Sequence, residues 1–142
     1  MSKHSLVIDA MSAIKNIKNS SVVGGVVVKK SIEVKGSSLV LRVMDFLKKY
    51  KCIMGYEEID IGSNKRSIRI FINFDKSGKN VVRDVVYHTT NSRSQSMTVT
   101  GIKSILSDFS LVAVSTSEGL IMSAKECIES KIGGEVMFSI NF

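Results

Sequence analysis

The sequence has no long apolar run, no proline and only two cysteines among its 142 residues. None of its apolar stretches approaches the roughly 18 residues that a membrane-spanning helix needs. The first five residues carry charge, but no apolar core with a small-residue cleavage site follows them, and the arginine-rich pattern of a transit peptide is missing. We therefore expect a cytosolic protein. The absence of proline indicates no function.

The two cysteines, Cys52 and Cys127, are far apart, and neither belongs to a Cys-x-x-Cys motif or lies near a histidine in sequence. Zinc sites and redox pairs depend on such spacing. The sequence therefore predicts two buried free thiols in a reducing compartment, with no metal and no cofactor.

Groups for acid–base or nucleophilic catalysis are scarce. A hydrolase would have to pair Ser115 or Ser117 with His88, and nothing in the spacing supplies the acid that orients such a base. Glu57 and Glu58 are adjacent on a predicted strand and so point to opposite faces. No glycine-rich phosphate-binding motif is present. We therefore expect a protein that is not an enzyme.

Acidic residues are too few to balance the basic ones, and the net charge is +7. The first 75 residues hold 13 Lys/Arg against seven Asp/Glu, a balance of +6, whereas the remainder has a balance of +1. Such an excess favours a polyanionic partner. Aromatic residues make up only 6%, which argues against a stacking platform for single strands. A basic adaptor for anionic membrane surfaces or acidic proteins remains the alternative.

The length allows one compact domain or two small subdomains, and hydrophobic periodicity predicts a mixture of helices and strands. Residues 1–75 are predicted to form an N-terminal α-β-α-β-β sandwich. Its elements are a helix over residues 6–19, one or two short strands around Gly24-Gly25, a strand at 32–34, a helix capped by Ser37 or Ser38, and a hairpin over 56–61 and 67–74.

Residues 76–142 are predicted to form a mostly β subdomain with one short helix. A polar linker over 75–80 precedes a strand at 81–87, and a helical turn at 102–106 precedes a buried strand at 111–114. A helix over 123–130 leads to Gly133-Gly134, which open a last strand whose apolar residues alternate: Val136, Phe138, Ile140 and Phe142.

A run of hydroxyls, Ser115-Thr116-Ser117-Glu118-Gly119, follows the buried strand directly. Hydroxyl and backbone N–H groups suit phosphate and sugar oxygens, and a glycine allows such a partner to approach closely. The alternative is an ordinary turn between a strand and a helix.

Several motifs resemble those of the universal small-subunit ribosomal protein eight family. The hydroxyl run, the Met122-Ser123 step and the Gly-Gly pair before the last strand match its C-terminal signature. The pattern Asp9-x-Met11-x-x-Ile14-x-Asn16 resembles its first helix. The resemblance covers nearly the whole chain in the right order.

The resemblance implies an α+β fold with two small subdomains. It also implies a protein of the cytoplasmic small ribosomal subunit that binds small-subunit ribosomal RNA and helps to assemble the central domain of that subunit. The implied partners are that RNA and neighbouring ribosomal proteins, with no membrane and no small-molecule substrate. The RNA contacts of the family map to the hydroxyl run (Ser115, Thr116, Ser117 and Gly119), to the first-helix asparagine (Asn16) and to one basic residue of a later loop (Arg93). Lys15 and Lys18 of the first helix add positive charge. Gly133 and Gly134 are expected to be structural.

Overall fold

The computed structural model describes residues 3–18, 21–23, 26–28, 31–60, 66–88, 96–98, 100–102, 111–116 and 120–142. Contacts between Cα atoms divide the chain into two compact units, one comprising Leu6–Arg83 and the other containing Asp84–Phe142. We call them the N-terminal and the C-terminal unit. The subdomain division predicted after residue 75 stays a prediction.

Two amphipathic helices contribute to the core of the N-terminal unit. Helix α1 spans Lys3–Asn16 and buries four apolar side chains with i, i+3, i+4, i+7 spacing: Val7, Ala10, Met11 and Ile14. Helix α2 spans Ser38–Lys49 and buries Val40, Val43, Met44, Phe46 and Leu47. Its N-terminus is capped as predicted, because the Ser37 hydroxyl accepts a hydrogen bond from the Val40 N–H at 3.2 Å.

Five strands form two antiparallel sheets in this unit. Strands β1 (Ser21–Val23) and β2 (Val26–Val28) pair with each other. Strands β3 (Ser31–Lys35), β4 (Ile53–Asp60) and β5 (Arg66–Ile72) form a sheet in the order β3-β5-β4. The predicted hairpin is confirmed, and its apolar alternation buries Ile68, Ile70 and Ile72.

On the other face of that sheet, Arg69 lies between two carboxylates. Its guanidinium is 3.0 Å from Glu33 on β3 and 2.8 Å from Glu57 on β4, the residues directly opposite it in the register. Cross-strand pairs of opposite charge favour this register over a slipped one.

In the described part of the C-terminal unit, five strands form an antiparallel sheet and a short helix precedes the last strand. Strands β6 (Asp84–Tyr87), β10 (Gly134–Asn141), β8 (Leu111–Ser115) and β9 (Ile121–Ser123) lie in that order, and β7 (Ser96–Met97) also pairs with β10. Helix α3 spans Ala124–Ser130. A core cluster comprises Ile102, Val112, Val114, Ala124, Cys127 and Val136.

The predicted last strand is confirmed, and it buries the alternating residues Val136, Phe138 and Ile140. Met137 and Ser139 between them are also buried, so both faces of β10 are covered there, and the register with β8 shifts between Val136 and Phe138. Phe142, the last of the predicted alternating residues, lies just beyond the strand and is 52% exposed.

In the parts of the chain that the structure describes, no helix has the length and apolar character needed to cross a membrane.

A single buried amide closes the C-terminal end of α1. The side-chain nitrogen of Asn80 donates to the carbonyls of Ile14 and Ile17, at 2.8 and 2.6 Å, and its oxygen accepts from the Val82 N–H at 3.0 Å. The Asn80 backbone N–H donates to the Lys18 carbonyl at 2.9 Å. The Ile14 carbonyl also accepts from the Ile17 N–H at 3.3 Å, so the side chain of Asn80 adds a second donor there and supplies a donor to the Ile17 carbonyl just beyond the helix.

We expect Asn80→Ala to lower the free energy of unfolding by about 2 to 4 kcal/mol, because it removes three hydrogen bonds of a buried side chain, two to carbonyls and one from the Val82 N–H. Urea denaturation of both proteins measures this loss. The control is Asn73→Ala, which removes one exposed hydrogen bond to the Lys51 carbonyl and should cost less than about 1 kcal/mol. Equal losses would contradict the role given to Asn80.

Gly134 permits a close approach between β10 and the end of β8. A Cβ atom at this position would lie 2.6 Å from the Ser115 carbonyl oxygen and 2.8 Å from Cγ1 of Val114. The first neighbour is backbone in a paired strand and cannot move aside cheaply. A side chain here would therefore push β10 away from β8, the strand that ends at Ser115.

Gly134→Ala should accordingly destabilise the protein by about 1 to 3 kcal/mol through overpacking. The matched variant is Gly55→Ala on β4, where an added Cβ would meet nothing within 4 Å. We expect that control to change stability by about 0.5 kcal/mol or less. Thermal melts of the two variants distinguish steric overpacking from a general cost of replacing glycine in a strand.

Candidate nucleic-acid interface

The C-terminal unit presents Ser115 at the end of a central strand. Ser115 is opposite Ile121 of β9 on one side and Glu135 of β10 on the other. Its backbone is therefore fixed from both edges, while its side chain is partly exposed. A hydroxyl held on such a rigid support suits a contact with a sugar or phosphate oxygen.

Thr116, which directly follows β8, is hydrogen-bonded to Leu120. Its backbone N–H and its hydroxyl both donate to the Leu120 carbonyl, at 2.9 and 3.2 Å, and its side chain is buried. The structure thus gives the Thr116 hydroxyl a partner inside the protein, and its predicted contact with RNA stays a prediction. Ser117 and Gly119, from the same predicted turn, lie outside the described residues.

Ser123 caps the N-terminus of α3. Its hydroxyl accepts from the Glu126 N–H at 3.1 Å and donates to the Glu126 carboxylate at 3.4 Å. The sequence contains a signal for this cap, since a serine followed three residues later by a glutamate is typical of a helix start. The cap fixes where β9 ends and α3 begins.

The expected structural glycines lie at the start of β10. Gly134 is its first residue, in the close approach described above, and Gly133 directly precedes it. Arg93, expected to provide a basic contact, lies outside the described residues.

The N-terminal unit contains a cavity of about 410 Å³, which we call the basic cavity. It brings together three residues predicted from the sequence, Lys15, Asn16 and Lys18, with four that were not predicted as site residues. The full lining is Lys15, Asn16, Lys18, Lys79, Asn80, Val82 and Arg83. Four of these seven residues are cationic, so the cavity attracts anions.

The turn beside this cavity, predicted to be a polar linker, is organised by one carboxylate. Oδ1 of Asp75 accepts from the Ser77 N–H, the Ser77 hydroxyl and the Lys79 N–H, at 2.9, 2.6 and 3.1 Å. Oδ2 accepts from Nη2 of Arg83 at 2.6 Å. These donors, with the Ser77 hydroxyl first and the Lys79 N–H next, hold the pKa of Asp75 well below its usual range.

A hydrogen-bonded serine–histidine pair does occur, but it cannot reach a substrate. Nε2 of His88 and Oγ of Ser139 are 2.6 Å apart, and Ser139 is fully buried in β10. Burial also lowers the pKa of His88. Among the described residues, no group of three or more His, Cys, Asp or Glu side chains could hold a metal ion.

The amino-acid sequence of this chain is similar to those of known proteins over most of its length. A family model described as ribosomal protein S8 matches residues 6–141. The chain is 29% identical to the small ribosomal subunit protein uS8 of Rhizobium meliloti (strain 1021) over 112 residues, which are 79% of this chain and 83% of that protein.

Two further relatives carry the same name. The protein from Allorhizobium ampelinum is 30% identical over 79% of this chain and 83% of its own length. The protein from Rhodopseudomonas palustris (strain BisB18) is 24% identical over 99% of both chains. With the family model, which spans both compact units, these similarities show that the chain belongs to the ribosomal protein S8 family.

Proposed function

We propose that this protein is a structural component of the small ribosomal subunit in the cytoplasm, where it binds small-subunit ribosomal RNA directly and supports assembly of the central domain. Its role in translation is then to hold folded RNA, without catalysis. The observation that carries the proposal is the clustering of Lys15, Asn16 and Lys18 with Lys79 and Arg83 around the basic cavity. Residues predicted from the first helix thus line the same cavity as cations from a segment that is distant in sequence.

The two units supply different kinds of contact. The basic cavity offers charge, which supplies affinity for a phosphate backbone. Ser115 offers a hydroxyl on a rigid strand end, which positions a sugar or phosphate without adding charge. Folded RNA is commonly recognised through its shape and its 2′-hydroxyls by such a combination. Neighbouring ribosomal proteins would complete the assembly.

The proposal predicts that the protein binds a small-subunit ribosomal RNA fragment with an affinity that falls steeply with salt, since each neutralised phosphate releases counterions. Filter binding across a salt series measures this, with a random duplex of equal length as the control. Equal binding to both RNAs would contradict the proposal. Stronger binding to anionic vesicles than to RNA would instead favour the basic adaptor.

We expect Ser117→Leu to weaken specific binding by about tenfold and binding to the random duplex by much less, because a bulky side chain removes a positioning contact but no charge. The matched control is Ser130→Leu, at the exposed C-terminal end of α3. Filter binding of both variants to both RNAs gives the comparison. Equal losses on the two RNAs would reject the assigned role of Ser117.

A further inference from the structure

The cations of the basic cavity come from two segments. Lys15 lies in the last turn of α1 and Lys18 two residues beyond its end, where Asn80 donates to the Ile14 and Ile17 carbonyls. Lys79 and Arg83 come from the other segment and are both hydrogen-bonded to Asp75. An acidic residue therefore arranges half of the positive charge in this cavity.

We propose that Asp75 is a positioning residue that presents Lys79 and Arg83 to a backbone phosphate of the bound RNA in the basic cavity. This inference rests on the proposed function. It adds Asp75 to the RNA-binding surface and gives the cavity a ligand chemistry, a phosphodiester.

The lining of the cavity favours a phosphate over a base. None of the described residues that line it is aromatic, so a base would find no stacking partner among them. Both amide hydrogens of Asn80 are engaged by the Ile14 and Ile17 carbonyls. The lining also includes four cations and Asn16, and cations at close quarters bind phosphate oxygens through charge-assisted hydrogen bonds.

Pairing with Asp75 does not use up the hydrogen-bonding capacity of Arg83. A guanidinium has five N–H donors, and the bond from Nη2 to Asp75 fixes its plane while leaving other donors for a second anion. Lys79 is fixed through its backbone N–H, which leaves its ammonium group available. Four cations and one carboxylate leave the cavity region with an excess of positive charge.

The decisive variant is Asp75→Ala, because two explanations predict opposite signs. If Asp75 contributed only its charge, removing it would tighten RNA binding. If Asp75 positions the two cations, binding weakens although the net charge rises. We expect a weaker affinity at about 50 mM salt and a slope of log affinity against log salt that is shallower by about 1 to 2.

Three further variants complete the experiment in the full-length protein. Glu129→Ala removes an exposed carboxylate from α3, away from the cavity residues in sequence and in the other unit, and should leave binding equal or slightly tighter. Lys79→Gln and Arg83→Gln each remove one cation without removing the carboxylate of Asp75. Each should make the salt slope shallower by about 1, which reduces the affinity lost between about 50 and 200 mM salt by about threefold.

If Asp75→Ala binds RNA more tightly than the wild-type protein does, as Glu129→Ala is allowed to, the positioning role of Asp75 is wrong. Unchanged salt slopes for Lys79→Gln and Arg83→Gln overturn the phosphate site, while specific binding by the wild-type protein leaves the proposed function intact. A wild-type protein that does not prefer the ribosomal fragment overturns both.

Titration with inorganic phosphate in the absence of RNA tests whether the cavity binds a free anion rather than an RNA phosphate. Binding is followed by the side-chain amide NMR signals of Asn16 and Asn80. If phosphate at about 10 mM shifts these signals while the RNA salt slopes of the variants match the wild type, the cavity belongs to a free phosphate and the inference is wrong.

Discussion

The amide of Asn80 is the contact on which the N-terminal unit and its basic cavity both depend. It donates to two carbonyls at the end of α1, 63 and 66 residues away in sequence, and so holds the helix end against the segment that follows β5. The same contact places Lys15 and Lys18 beside Lys79 and Arg83. A requirement of helix chemistry, that terminal carbonyls find donors, thereby assembles a charged surface.

Local periodicity was sufficient to predict most of the secondary structure. The apolar stripe of α2 and the alternation of β5 follow directly from 3.6-residue and two-residue repeats, and both are confirmed. In β10 the alternation did not predict the burial of Met137 and Ser139, because the sequence pattern does not show that both faces of this strand are covered. Periodicity describes a strand with one solvated face well but does not predict a strand that is covered on both faces.

The candidate site could be predicted only in part. Lys15 and Lys18 were predicted from the charge of the first helix and Asn16 from the family resemblance. Lys79 and Arg83 were not predicted, since their approach depends on hydrogen bonds to Asp75 and on the long-range contact of Asn80. In the same way, composition marks Thr116 as a polar residue of a turn without showing that its hydroxyl faces the Leu120 carbonyl. Which partner a polar group chooses is decided by the tertiary structure.

The two thiols have a practical consequence for studying such a molecule. Cys52 and Cys127 are both fully buried, and burial raises the pKa of Cys52 to about 12 and also that of Cys127. Thiols that remain protonated and shielded react slowly with maleimides and other electrophiles. A cysteine introduced on the surface would therefore carry a fluorophore or spin label almost alone, so that distances could be followed during subunit assembly without first removing the native cysteines.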